Sequence, residues 1–146
     1  MGMIHTAEVA GVGVGLRDEE DEIPAVVLEA RDELMPIAVT MDQARAIQLA
    51  LSEEPFERPL THDLFVTLLT EFGGAIDGVR IDDIADGTFY AKLDVERYHD
   101  GQKTKHVFDV RPSDAVALAV RTESRISISD AVLNSAGQPL DAFDTE

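Results

Sequence analysis

Short runs of hydrophobic residues, interrupted by an acidic cluster, occupy the first forty residues, a pattern typical of strands. Residues 6–16 alternate and contain three glycines, so the sequence predicts a strand with a bend or bulge. The acidic cluster at 18–22 predicts a loop at the tip of a hairpin. Further strands are predicted at 24–30 and 34–39, so the chain begins with three consecutive strands.

The first helix is predicted from its start signal. The four residues that begin at Thr40 have the Thr-x-x-Gln form of a capping box, so a helix is expected to run from Met41 to about residue 51. Its buried face should consist of Ala44, Ile47 and Leu51.

A second helix follows a loop that contains two prolines. Thr61 can cap this helix, and the Gly73-Gly74 pair should end it. The apolar positions recur at helical spacing and predict one continuous apolar face: Leu64, Phe65, Leu68, Leu69 and Phe72.

Strand patterns return in the second half, at 75–84, 88–98 and 104–110. Asp86-Gly87 is a turn signal between the first two of these strands. Pro112 is tolerated as a first helical residue, so a helix is predicted from there to about Thr122. The chain then continues as a short strand at 125–129, a short helix at 130–135 and an acidic tail at about 138–146.

The predicted fold class is α+β, a mostly antiparallel sheet with helices packed on it, in a single domain over residues 1–146. Residues 37–47 parallel residues 108–118, because each segment is a strand, a short turn and an alanine-rich helix. Duplication of a strand–strand–strand–helix unit and chance similarity are both open explanations. Duplication predicts two related halves that share one core.

The charge balance is the strongest signal in the composition. The chain has 29 Asp and Glu residues against 12 Lys and Arg, for a formal net charge of −17. Such a surface repels nucleic acid at low ionic strength. An acidic interaction protein and a protein adapted to a salt-rich cytoplasm both fit; the even spread of acids and the scarcity of lysine favour salt adaptation.

Several classes of protein are excluded or disfavoured. The absence of cysteine excludes disulfides and thiolate chemistry, and no segment has the apolar length of a membrane helix. The first residues lack the features of a signal peptide, so a cytoplasmic protein with no membrane partner is expected. The eight aromatic residues are expected mostly in the core, which argues against a base-stacking platform.

Polar residues crowd the start of the second predicted helix, in the segment 58–63. A helix N-terminus offers free amide donors to a phosphate or carboxylate. Arg58 is suited to clamp a phosphate, His62 to transfer protons near neutral pH, and Asp63 to orient the imidazole or hold a cation. The alternative is structural, with Thr61 and Asp63 capping the helix and His62 at the surface.

A second polar group lies where the strand ending at 110 meets the next helix. Asp109, Arg111, Ser113 and Asp114 place two acids, a guanidinium and a hydroxyl within six residues. In phosphodiester cleavage, Arg111 would offset charge in the transition state. Asp109 and Asp114 are candidates to bind a divalent cation such as Mg²⁺ or Mn²⁺, or to activate water. Helix capping by Ser113 or Asp114 and a structural Arg111 pair are the alternative.

Three linked motifs give the chain its resemblance to a known family: Arg58-Pro59-Leu60-Thr61-His62-Asp63-Leu64, Asp86-Gly87-Thr88-Phe89-Tyr90-Ala91 and Asp109-Val110-Arg111-Pro112-Ser113-Asp114-Ala115-Val116-Ala117-Leu118-Ala119. In residue identity, order and spacing they resemble the bifunctional nuclease domain, and the similarity covers about residues 3–137. The resemblance implies an α+β fold, association as dimers or larger, and activity on DNA and RNA.

Two functions are therefore carried forward. The first is a phosphodiesterase on DNA or RNA, metal-assisted, that uses Arg58, His62, Asp63, Asp109, Arg111, Ser113 and Asp114. The second is a non-catalytic oligomeric module that binds a nucleotide, a small anion or a protein, with the same side chains as structural latches. The two differ in one geometric requirement, because catalysis needs the two helix starts to meet at one phosphate.

Overall fold

The computed structural model describes residues 3–17, 22–52 and 61–143. Its strands are β1 (Ile4–Arg17), β2 (Glu22–Ala30), β3 (Glu33–Ala38), β4 (Gly74–Ala85), β5 (Thr88–His99), β6 (Gln102–Val110), β7 (Arg125–Ser129) and β8 (Gln138–Pro139). Its helices are α1 (Met41–Ser52), α2 (Thr61–Glu71), α3 (Pro112–Thr122), α4 (Asp130–Ala136) and a 3₁₀ helix over Leu140–Phe143. The acidic cluster at 18–21 and the candidate Arg58 lie outside the described residues.

The eight strands form one sheet in the order β6-β5-β4-β7-β1-β2-β3-β8. Each described pair is antiparallel except β4 with β7, which is parallel. The predicted α+β class with a mostly antiparallel sheet is confirmed. Because β1 runs against β7 and β4 runs with it, the meanders β1–β3 and β4–β6 point in opposite directions on either side of β7.

Each meander continues directly into a helix, β3 into α1 and β6 into α3. The two helices pack against each other, and buried residues of both meanders belong to one hydrophobic cluster. Val26, Leu28 and Met35 of the first meander and Ile81 and Leu93 of the second are at most 2 % exposed. The chain therefore contains the two predicted units on one core; their origin by duplication stays a prediction.

Local signals place the ends of these elements. At the start of α1, Gln43 N donates to Thr40 Oγ1 at 3.1 Å and Thr40 N donates to Gln43 Oε1 at 2.9 Å, which is the predicted capping box. Asp86 and Gly87 have φ values of +52° and +78°, as a tight hairpin turn requires. The register of β1 against β2 shifts twice, which confirms the predicted irregularity in that strand.

The predicted helix faces are partly wrong. In α1 the core stripe is Ala44, Ile47 and Ala50, whereas Leu51 is 42 % exposed because it is rotated about 100° from its neighbour. None of the residues of α2 is buried, and Leu64 and Leu68 are about half exposed. The apolar face of α2 is real, but the fold leaves much of it uncovered.

The prediction that the aromatic residues lie mostly in the core is also wrong. Of the six aromatic side chains whose burial is described, five are exposed: Phe65, Phe72, Tyr90, Tyr98 and Phe108. Aliphatic side chains and alanines fill the core instead. All five aromatics lie on or next to α2, β5 and β6. Alternation puts Phe108 on the same face as buried Leu93 and puts Tyr90 and Tyr98 on the opposite face.

The last residues depart from the predicted acidic tail. Gln138 and Pro139 pair with β3 as the outermost strand, and a 3₁₀ helix follows. Within residues 3–17, 22–52 and 61–143, no helix has the length and apolar character needed to cross a membrane.

Candidate active site

The starts of three helices surround one cavity of about 460 Å³. Its walls come from residues between Thr40 and Leu49 at the start of α1, from Thr61 and His62 of α2, and from Arg111, Ser113 and Asp114 at the start of α3. The contact arises because α1 and α2 both pack on α3. The two polar segments singled out in the sequence thus meet in space, although 49 positions separate His62 from Arg111 in the chain.

Asp114 joins the two segments. Arg111 donates from Nε to Oδ2 at 2.7 Å and from Nη2 to Oδ1 at 2.9 Å, a bidentate pair. His62 Nε2 lies 3.0 Å from the same Oδ1. The side chains of His62 and Asp114 are 18 % and 25 % exposed, whereas that of Arg111 is 65 % exposed. His62, Asp114 and Arg111 form a connected triad at the wall of the cavity.

The triad fixes the charge of its carboxyl group. Burial alone would raise the pKa of Asp114, but hydrogen bonds from Arg111 and His62 outweigh it and lower that pKa below its ordinary value. The bond to Asp114 in turn raises the pKa of Arg111. Asp114 is therefore an anion at neutral pH and accepts a hydrogen bond from His62 Nε2.

Ser113 is the buried polar group of this site. Its residue is 5 % exposed, and its Oγ is buried without a hydrogen-bond partner in the described part of the chain. It borders both the 460 Å³ cavity and a neighbouring cavity of about 310 Å³ that reaches Gly87, Thr88 and Phe89. A buried hydroxyl without a partner carries a desolvation cost, so at a cavity it is available to hydrogen-bond a water or a ligand.

The start of α3 also lacks a side-chain cap. The N-cap position is Arg111, whose side chain makes no capping bond, and the proline that follows has no N–H. The first-turn amides of Ser113 and Asp114 precede the first amide bonded within the helix, that of Ala115 to Arg111 O at 3.0 Å. These amides, the hydroxyl of Ser113 and the guanidinium form one set of donors for an anion.

Two of the candidate residues lie elsewhere. Asp109 points to the face of β6 opposite Phe108 and Val110, is 87 % exposed, and forms a salt bridge with Lys92 Nζ at 2.9 Å. Asp63 forms a salt bridge with Arg121 Nε, which ties α2 to α3. Neither lines the cavities described above, so the structure assigns both to structural pairs.

The described residues do not fit a divalent cation held by Asp109 and Asp114. The two carboxylates lie on different sides of β6, and both oxygens of Asp114 already accept hydrogen bonds. No cluster of three or more His, Asp or Glu side chains with the arrangement of a metal site occurs in residues 3–17, 22–52 and 61–143.

The sequence analysis missed the contribution of α1. Thr40, Gln43 and Arg45 line the same cavity, together with Asp42. The internal repeat was the available signal, because it aligns Thr40 with Arg111 and Gln43 with Asp114. Both pairs of aligned positions line this cavity, at the place where α1 and α3 pack together.

A second His–Asp–Arg cluster lies at the start of α4. Asp130 Oδ1 is 2.9 Å from His5 Nε2 and accepts from Arg31 Nη1 at 2.6 Å. Arg31 Nε also donates to Glu33 at 2.7 Å. The hydrogen bond with His5, opposed by burial and aided by Arg31, lowers the pKa of Asp130. This cluster joins β1, α4 and the β2–β3 turn, and it provides an internal comparison for the triad at α3.

Comparisons with known proteins agree with the motifs of the sequence. A family model described as the bifunctional nuclease domain matches residues 26–141. An uncharacterized protein from Mycobacterium tuberculosis is 36 % identical over 131 residues, which is 89 % of this chain and 76 % of that protein. Bifunctional nuclease 2 of Oryza sativa subsp. japonica is 28 % identical over 118 residues, and bifunctional nuclease 1 of Arabidopsis thaliana is 26 % identical over 117. Each plant match spans 78 % of this chain but 36 % of the plant protein. The chain belongs to the bifunctional nuclease domain family.

Proposed function

We propose that this protein is a nucleic-acid phosphodiesterase whose scissile phosphate binds at the first turn of α3. One observation carries the proposal. A histidine from α2 and an arginine from the start of α3 converge on one carboxylate, at a cavity bordered by uncapped helix amides. Family membership supports the reaction class, since two relatives bear the name bifunctional nuclease.

Arg111 is the phosphate ligand in this proposal. Its bonds to Asp114 use Nε and Nη2, which leaves Nη1 outside that pair, and 65 % of the side chain is exposed. Asp114 holds the guanidinium plane in place, so less conformational entropy is lost when a phosphate binds. Arg111 and the first-turn amides of α3 then stabilise the additional negative charge of the pentavalent transition state.

His62 is the proton-transfer group. Because ionised Asp114 only accepts hydrogen bonds, neutral His62 keeps its proton on Nε2 and leaves Nδ1 as the basic nitrogen. Nδ1 takes a proton from the attacking water as the new P–O bond forms. The bond from phosphorus to the leaving oxygen then breaks, and the imidazolium returns a proton to that oxygen. Asp114 stabilises the imidazolium between these steps.

The test compares the two histidines that contact an aspartate. His62→Gln keeps an N–H donor for Asp114 but cannot transfer a proton near neutral pH, whereas His5→Gln makes the matched change at Asp130. Cleavage of DNA and RNA oligonucleotides is measured from low to multi-molar salt, with and without Mg²⁺ or Mn²⁺. The rate should fall at least about 100-fold in His62→Gln and stay close to wild type in His5→Gln.

Other results would contradict the proposal in different ways. Equal rates for wild type and His62→Gln would remove His62 from the chemistry. A wild-type protein that binds oligonucleotides without cleaving them would favour a non-catalytic module, for which the pairing of Asp63 with Arg121 and of Asp114 with Arg111 is the supporting observation. Wild-type protein that neither binds nor cleaves oligonucleotides would overturn the phosphodiesterase and leave a module that binds a small anion or a protein.

A further inference from the structure

An apolar groove of about 420 Å³ lies beside the phosphate cavity, between α2 and β6. Thr61, His62 and Asp114 line both, so the groove begins where the phosphate cavity ends. Its other walls include hydrophobic side chains from α2, β5 and β6: Phe65, Leu69, Val95, Phe108 and Val110. This volume is in the range of small-molecule sites, which are mostly apolar with a few polar groups at one end.

Two aromatic side chains face solvent at this groove. Phe65 of α2 is 40 % exposed and Phe108 of β6 is 51 % exposed. Along the same face of β6, the ring of His106 is stacked on that of Phe108, with centroids 6.4 Å apart and planes 17° apart. Because β6 is the edge strand, these rings are accessible from the side of the sheet as well as from its face. A flat ligand with two aromatic faces matches this surface.

The charge of the same region is unlike that of the rest of the chain. Residues 88–111 contain five basic side chains, Lys92, Arg97, Lys103, Lys105 and Arg111, against four acids, Asp94, Glu96, Asp100 and Asp109. This segment is therefore formally +1, and the remaining residues sum to −18. Alternation along the paired strands puts Lys92, Lys103 and Lys105 on the face opposite the groove, together with Asp94, Glu96 and Asp109. On the side of the groove, this segment contributes Arg97 and Arg111 and no acid of β5 or β6, so these strands add no repulsion of a polyanion there.

We infer that the groove between α2 and β6 binds an unpaired nucleobase next to the phosphate at α3, so that the substrate is a single-stranded nucleic acid. The inference rests on the proposed function, because the phosphate site fixes which end of the groove the sugar enters. An unpaired base exposes both faces for stacking on Phe65 or Phe108, whereas a base inside a duplex is covered by its neighbours.

The experiment measures binding separately from cleavage. Fluorescently labelled single-stranded DNA is compared with the same strand carrying abasic sites, which keep every phosphate and lose the bases, and with the duplex. Binding is followed by anisotropy in wild type, Phe108→Ala and Val107→Ala. Val107 is the matched control, because it is 55 % exposed and lies on the opposite face of β6. Phe108→Leu keeps an apolar contact if the alanine variant does not fold.

The intact single strand should bind about tenfold or more tightly than the abasic strand or the duplex in wild type and in Val107→Ala. Phe108→Ala should remove most of that preference, and Phe108→Leu part of it. Equal binding of the abasic and intact strands would overturn the base groove while leaving the phosphate site in place. Loss of all binding and cleavage by wild type would instead overturn the proposed function. Sedimentation that shows a dimer in wild type and Val107→Ala but a monomer in Phe108→Ala would assign the groove to a second copy.

Discussion

The two His–Asp–Arg clusters of this molecule have the same components in different surroundings. At α3, Arg111 has one acidic partner, Ser113 Oγ has no partner among the described residues, and a cavity opens beside them. At α4, Arg31 is shared between Glu33 and Asp130, and Ser129 Oγ accepts a hydrogen bond from Val132 N at 3.3 Å. His5, Arg31 and Asp130 line none of the three cavities described above.

The comparison shows that a histidine, an aspartate and an arginine in contact do not by themselves define an active site. At α4 the described bonds of His5 and Arg31 go to acids, and Ser129 Oγ accepts from the amide of Val132, so the result is a link between β1, α4 and the β2–β3 turn. At α3 the hydroxyl of Ser113 has no described partner and the first-turn amides border a cavity, so hydrogen-bond donors remain there for an external anion. Unused donors at a cavity, rather than residue identity, separate the two regions.

The largest expected difference is between the two arginines. Arg111→Ala should lower kcat/KM for oligonucleotide cleavage by roughly 10²–10³-fold, because it removes a cation that stabilises transition-state charge. Arg31→Ala should leave the rate close to wild type and lower the thermal unfolding midpoint, since it removes hydrogen bonds between structural elements. Cleavage kinetics and thermal unfolding of both variants check this. An active Arg111→Ala protein with a lowered unfolding midpoint would make the two clusters equivalent.

Smaller effects are expected for the two serines, on stability for Ser129 and on KM for Ser113. Ser129 caps α4, so Ser129→Ala should cost about 1 kcal/mol of unfolding free energy without changing cleavage. Ser113 has no described partner to lose, so Ser113→Ala should leave stability unchanged or slightly higher while raising KM about fivefold. Urea unfolding and steady-state kinetics measure the two quantities. A destabilised Ser113→Ala protein with unchanged KM would assign that hydroxyl to the fold.

The smallest effect concerns acid stability. Asp114 and Asp130 both have lowered pKa values in the folded protein, so the unfolded chain binds more protons as the pH falls below about 4. Their stabilising contribution is complete above the unfolded pKa and is lost as the pH falls through the folded one. The stability advantage of wild type over Asp114→Asn, and over Asp130→Asn, should therefore shrink between about pH 5 and pH 2.

Urea unfolding across this pH range measures the advantage directly. The two substitutions should then differ in cleavage, which only Asp114→Asn lowers, because only that carboxylate positions a phosphate ligand and a proton-transfer group. A wild-type advantage that stays constant with pH would show that the carboxylate is not titrating as expected. Loss of cleavage in Asp130→Asn without unfolding would connect the second cluster to the site.

The sequence determined the local elements of this protein because their signals act over a few residues. The capping box at Thr40, the turn at Asp86-Gly87 and the proline that begins α3 each fix backbone geometry without distant partners. The family motifs also placed His62, Arg111, Ser113 and Asp114 among the candidates. One error was avoidable, since alternation along β6 puts Asp109 on the face opposite Phe108 and Val110.

The tertiary structure alone decided which of these side chains meet. The insertion of β7 between β1 and β4 sets the two meanders in opposite directions, and the packing of α1 and α2 on α3 then brings three helix starts to one cavity. The same packing leaves the apolar face of α2 largely uncovered, although its spacing resembles that of a buried helix. Periodicity reports that a helix has an apolar face, but burial depends on neighbours that are distant in the chain.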